Sequence, residues 1–131
     1  MASGGAEEDR ITVVVADDAE DIRLMLRLSL ERDGDMKVVA EAADGAAAVA
    51  MAGLHHPDVL ILDLNMPGMD GRATIPAVLQ ASPLTRVVVM SGHDHSYAEA
   101  DVLALGAIGY VEKGGSATAT AEAVRRLASG H

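Results

Sequence analysis

Apolar runs and amphipathic stretches alternate along the chain. Ile11 to Ala16 is a β-branched run with little alternation, the pattern of a strand buried on both faces. Ala19 to Arg32 follows as a helix, with Leu24 and Leu28 at helical spacing and Asp33-Gly34-Asp35 as its stop. Met36 to Ala40 predicts a second strand. Asp44 can cap a helix running to about Gly53, which His55-His56-Pro57 ends. Val59 to Leu62 is a third apolar strand, and Asn65-Met66-Pro67-Gly68 a loop. Asp70 caps a helix to about Ala81, with Pro76 inside it as a source of kinking or of one weakened backbone bond. Arg86 to Met90 is a fourth strand, Ser91 to Ser96 a polar loop, and Tyr97 to Leu105 a short helix. Ala107 to Val111 and Ala117 to Ala128 complete the series as strand and helix, and residues 1–10 read as a flexible leader. Five strand–helix units imply parallel pairing with right-handed crossovers, hence a three-layer α/β sandwich.

Composition narrows this picture. At 131 residues the chain makes one domain with a single substantial core, expected over 11–131 with no output domain in the chain. Aromatic residues are 2 %, only Tyr97 and Tyr110, so the core must be aliphatic and base-stacking platforms are excluded. The net charge of −10 repels a phosphate backbone, which argues against direct nucleic-acid contact. Cysteine is absent, which excludes disulfides, thiolate metal sites and cysteine nucleophiles and fits a cytoplasmic location. No apolar run approaches the roughly 18 residues needed to span a bilayer, and Met1 to Arg10 lacks the character of a signal peptide, so no membrane association is expected.

The polar residues are placed with a pattern of their own. Asp17 and Asp18 follow the first strand, Asp63 the third, Ser91 the fourth and Lys113 the fifth. In an open parallel sheet, sites form beyond the carboxyl ends of the strands, near the point where strand order reverses. These five residues are therefore expected in one crevice. Three adjacent carboxylates repel one another unless a hard cation holds them, and oxygen ligands without His or Cys favour Mg²⁺. A lysine and a hydroxyl opposite the metal suit phosphoryl oxygens. One carboxylate can then act as nucleophile and form an acyl phosphate.

Asp17-Asp18, the stretch from Asp63 through Asn65, Pro67 and Asp70 to Gly71, Ser91, and Gly109-Tyr110-Val111-Glu112-Lys113 together resemble the receiver domain of bacterial two-component response regulators over about residues 11–129. Val38 to Gly45 further resembles the subfamily that usually carries a C-terminal helix-turn-helix domain. The resemblance implies a flavodoxin-like (βα)5 fold, doubly wound, with strand order 2-1-3-4-5. It implies that Asp63 accepts a phosphoryl group from the phosphohistidine of a sensor kinase or phosphotransfer protein. Asp18, Asp63 and the Asn65 backbone carbonyl would ligate Mg²⁺, with Asp17 assisting through water. Lys113 and the backbone at Asn65 and Gly92 would contact the phosphoryl group, while Ser91 and Tyr110 would switch. It also implies no turnover of external substrates, control of transcription through a DNA-binding domain, and possible pairing of two copies through the fourth helix, fifth strand and fifth helix, a face taken to include Tyr97, Asp101, Tyr110 and Arg125-Arg126. One departure is Gly114, where the family commonly has proline.

Other readings compete. A stand-alone regulator would act by protein contact alone. An aspartyl-phosphate phosphatase or phosphotransferase of the haloacid dehalogenase type would need a second Asp where Asn65 stands. A flavin module would want a Ser/Thr/Gly phosphate loop, where Ala16 to Glu20 is acidic. Singly, Asp17-Asp18 is also an acceptable helix cap, Ser91-Gly92 ordinary turn chemistry and Tyr110 core filler. His93-Asp94-His95 reads as a solvated loop, His55-His56 as a helix C-terminal pair, and Asp33, Asp35 and Asp44 as surface turns and caps.

Overall fold

Branched aliphatics set the strands. In a computed structural model, which describes residues 10–68, 70–92, 99–113 and 115–129, Ile11–Ala16 (β1), Met36–Ala42 (β2), Val59–Asp63 (β3), Arg86–Ser91 (β4) and Gly109–Glu112 (β5) form one parallel sheet in the order β2-β1-β3-β4-β5. Between them run Glu20–Glu31 (α1), Gly45–His55 (α2), Gly71–Ala81 (α3) and Glu99–Ala104 (α4), and Ala117–Ala128 (α5) closes the series. The expected three layers and the doubly wound order are therefore present.

Side chains alternate across a strand, so each strand feeds two cores. Val14, Leu60, Leu62, Val87 and Val89 face α2, α3 and α4 through Ala48, Ala52, Ile75, Val78 and Val102. Val13, Val15, Ile61, Val88 and Met90 face α1 and α5 through Leu26, Leu30, Ala121 and Val124. Every residue of β3 is buried, as a central strand covered on both faces requires.

The inward face of α1 is one of two apolar stripes the helix carries. Leu26 and Leu30 are buried, whereas Leu24 and Leu28 are 52 % and 62 % exposed. The helix carries two apolar stripes, Ile22-Leu26-Leu30 and Leu24-Leu28, each with a four-residue step, and spacing cannot choose between them. Strand ends also shift. β2 runs on to Ala42, and β5 begins at Gly109 because Ala107 instead closes the α4 turn by donating to the Val102 carbonyl. Helix α3 runs through Pro76 unbroken. Asp44 and Asp70 cap α2 and α3, accepting from Ala47 N at 2.7 Å and Arg72 N at 3.0 Å. His56 ends α2 in the left-handed conformation with φ 45°. The expected helix start at Tyr97, the 93–95 loop and, Arg10 apart, the leader lie outside the described residues. Among the described residues, no helix is long and apolar enough to cross a membrane.

Asp35 is more than a turn residue. Arg125 of α5 grips it through Nε and Nη2, at 2.6 and 3.1 Å, which holds the Asp35 carboxyl below its ordinary range. Arg125 is thereby turned toward the start of β2 and away from β5, which removes it from the α4–β5–α5 face.

Gly106 shows how α4 reaches β5. Its φ of +113° suits only glycine, and an added Cβ would lie 2.5 Å from Leu79 Cδ1. Gly106→Ala is expected to lower the urea-unfolding free energy by about 2–3 kcal/mol through backbone strain. A change below about half a kcal/mol would show that the turn relaxes freely.

Candidate functional site

The carboxyl ends of β1 and β3 lie side by side where the strand order reverses, and this brings the acidic residues together. Asp17 follows β1, Asp63 ends β3, and both are fully buried, while Asp18 is exposed at the mouth. One carboxylate oxygen from each of the three lies within 4.8 Å of the others. Asp17 is fixed by its own turn: Oδ1 accepts from Ala19 N at 2.9 Å, and its N–H donates to Ala42 O at 3.0 Å. Asp17 and Asp18 are thus not a helix cap; Ala19 holds that position without a side-chain bond.

Lys113 reaches the cluster from the end of β5. Its backbone N–H donates to Ser91 O at 2.7 Å, which anchors it to β4. Nζ donates to Asp63 Oδ2 at 2.7 Å and sits 2.9 Å from Asp17 Oδ2. Burial pushes the Asp63 carboxyl above its ordinary range, and the Asp17 charge adds to this, against the opposing pull of Lys113 and the Asn65 N–H. Burial alone would lower Lys113, but its hydrogen bond to Asp63 and its ion pair with Asp17 outweigh that and hold the ammonium up.

The donor set suits a hard divalent cation. It is all oxygen, it carries three negative charges, and Asp17 Oδ2 is buried without an aligned hydrogen bond. Cation demand of this kind at a buried oxygen is what a metal or an ammonium satisfies.

Asn65 and Gly92 meet here too, through an unexpected group. Asn65 N–H donates to Asp63 Oδ1 at 2.9 Å, while its side-chain Oδ1 accepts from Gly92 N at 2.7 Å. Ser91, buried at the end of β4, shares the parity of Val87 and Val89 and so lies on the α2/α3/α4 side of the sheet. Tyr110, half-buried in β5 opposite Val89, packs into that same core. Ser91 and Tyr110 therefore share one face. Tyr97 and Gly114 lie outside the described residues.

Sequence reasoning passed over Arg23. From α1 it donates to the Asp17 carbonyl at 2.6 Å and to Glu41 Oε1 at 2.8 Å, bracing the acidic turn against β2, and Arg27 pairs with the same Glu41. Its one local signal was a basic residue within two helical turns of Asp17. Beside Lys113 a largely apolar cavity of about 390 Å³ opens between Ile22, Met25 and Leu26 of α1 and Ala117 of α5.

Comparison with known proteins places relatives around this geometry. A family model for the response regulator receiver domain matches residues 13–125. The probable transcriptional regulatory protein NarL of Mycobacterium tuberculosis is 38 % identical over 124 residues, 95 % of this chain and 57 % of its own length. The nitrate/nitrite response regulator protein NarP of Escherichia coli is 38 % identical over 121 residues, 90 % of this chain and 55 % of its own. The chain thus spans about half the length of these relatives. The signal receiver domain of NarL from Mycobacterium tuberculosis superposes with a TM-score of 0.84 at 38 % identity, over 94 % of this chain and 99 % of that one. The response regulator domain of Thermotoga maritima CheB superposes at 0.79 with 28 % identity, over 92 % and 97 %.

Proposed function

The chain belongs to the response regulator receiver domain family, and from that membership we propose that Asp63 is the residue that receives the phosphoryl group. Receiver domains of response regulators take part in two-component signalling with histidine kinases or phosphotransfer proteins. The observation that carries the assignment is the Lys113–Asp63 contact of 2.7 Å inside the three-carboxylate cluster.

In the transfer, an Asp63 carboxylate oxygen bonds to phosphorus as the phosphorus–nitrogen bond of a phosphohistidine breaks. The bonding pair leaves on the imidazole, which takes up a proton. Asp63 is buried and poorly solvated, so its nucleophilic oxygen sheds little water on attack. Lys113 stays within reach of both the carboxylate and the incoming phosphoryl oxygens and compensates their charge. Asp17, Asp18 and Asp63, with the Asn65 carbonyl, are the groups that would hold Mg²⁺, which supplies further charge neutralisation when bound. The donor approaches from the side of the apolar cavity, where exposed Met25 of α1 lines the Lys113 mouth.

Ser91 and Tyr110 carry the change outward on the shared face, toward α4, β5 and α5. Exposed Leu103 and Ile108 on that side suit contact with a second copy. Control of transcription is the output this reading favours, since the NarL relative is named a probable transcriptional regulatory protein. The test is incubation with a small acyl phosphate and Mg²⁺. Mass spectrometry should find one acid-stable, alkali-labile phosphoryl group, on Asp63, and none after chelation with EDTA. Labelling on another residue, or labelling indifferent to EDTA, sinks the assignment.

A further inference from the structure

We propose that the Asn65 side chain is a latch: in the unphosphorylated protein it occupies the Gly92 N–H that a phosphoryl group on Asp63 must recruit, and so sets how tightly that group is held. This rests on the phosphoacceptor reading of Asp63 and concerns a region of the site that reading leaves undetermined.

The β3–β4 ladder shows the latch replacing a backbone rung. Leu64 N donates to Met90 O at 2.9 Å. In a continued parallel ladder the next donor, Gly92 N–H, would go to the Leu64 carbonyl. It goes instead to Asn65 Oδ1, at 2.7 Å. The strands thus begin to diverge immediately beyond Asp63 and Ser91, and a side chain bridges the opening.

Both ends of the bridge are fixed over the acceptor carboxylate. Asn65 is held by its own N–H to Asp63 Oδ1, at 2.9 Å. Gly92 directly follows Ser91, whose carbonyl is tied to Lys113 N at 2.7 Å. The Gly92 N–H and the Lys113 ammonium therefore flank Asp63 from the same strand ends. Glycine at 92 belongs to the same device, because a Cβ there would crowd Asn65 Oδ1 to 3.3 Å.

The two acceptors are unequal. An amide oxygen is neutral, whereas a phosphoryl oxygen is charged and accepts a hydrogen bond roughly twice as strong. Phosphorylation therefore opens the latch, but some of its gain is spent in doing so. Removing the Asn65 amide removes that opposition and leaves the backbone of residue 65 in place. Asn65 is exposed, so Asn65→Ala leaves the core untouched.

The experiment compares the wild type and Asn65→Ala by amide NMR, first metal-free, then with saturating Mg²⁺ and rising beryllofluoride. Metal-free, the Gly92 amide proton should move upfield and exchange faster in Asn65→Ala. With the mimic bound, the Gly92 resonance should coincide in the two proteins. The variant should bind beryllofluoride about three- to ten-fold more tightly, the equivalent of one net hydrogen bond. An unchanged metal-free Gly92 amide, or equal or weaker mimic binding by Asn65→Ala, overturns the latch while wild-type binding leaves Asp63 standing. Failure of the wild type to bind the mimic overturns both.

Discussion

Asp63→Asn should incorporate no phosphoryl group under conditions that label the wild type once per chain, and it should remain folded. The substitution keeps the shape of a fully buried side chain and removes its nucleophilic oxygen pair. An amide in its place presents a neutral, weakly nucleophilic oxygen, so the loss is complete rather than graded. Folding should not suffer. Burial has already raised the Asp63 acid above its ordinary range, so the folded state disfavours the charged form. For a carboxylate with a raised folded value, this penalty is absent below the unfolded value near 4 and grows as pH rises through the folded one. Asparagine removes the penalty, and at neutral pH the metal-free variant should unfold at a temperature no lower than the wild type. Mg²⁺ should raise the wild-type midpoint by linkage and raise that of Asp63→Asn less, because one of its ligands is gone. Full labelling of the variant, or an unfolded circular dichroism spectrum, would contradict this account.

The residues that gather in the acidic crevice were easier to read than the faces that hold them. Asp17, Asp63, Ser91 and Lys113 each stand where an apolar run gives way to a polar residue, and a parallel sheet must bring such positions to one edge. That rule needs only strand order, so the crevice was legible before any distance was known. The inward face of α1 was not, because Leu24-Leu28 and Leu26-Leu30 have the same period and only packing against β1 and α5 separates them. Arg125 was misread for a related reason. Its partner Asp35 is 90 residues away, and nothing local says which way a long basic side chain turns. The Asn65 side chain hid behind its backbone. The motif assigned its carbonyl and amide, while the bond to Gly92 depends on how far β3 and β4 have diverged. Arg23 reaches the acidic turn through a main-chain carbonyl, so beyond its nearness to Asp17 in the chain no partner side chain there marked it.

Lys113→Ala should trade stability for metal affinity. The ammonium lies 2.7 and 2.9 Å from two buried carboxylates, the cation on both among the described residues. Stripping one partner from a buried ion pair costs about 3–5 kcal/mol. The Lys113 side chain is 27 % exposed, and this partial solvation reduces the expected loss to about 2–3 kcal/mol in EDTA at pH 8. The loss should shrink as pH falls toward the carboxylate range, since Asp63 then protonates and needs no partner. It should also shrink with Mg²⁺, because metal replaces the missing positive charge. Affinity moves the other way: Nζ and a metal compete for Asp17 Oδ2 and Asp63 Oδ2, so the variant should bind Mg²⁺ more tightly than the wild type. The signal should nevertheless fail. Lys113 N is tied to the Ser91 carbonyl, and on the proposed reading Nζ would link a phosphoryl charge back to β5. Beryllofluoride should then leave Tyr110 and α4 amide resonances unmoved in Lys113→Ala, and sedimentation should show no mimic-dependent pairing through α4, β5 and α5. Equal urea midpoints for variant and wild type in EDTA at pH 8 would show that the carboxylates carry no charge there. Weaker Mg²⁺ binding by the variant would show that lysine supports the metal rather than competing with it.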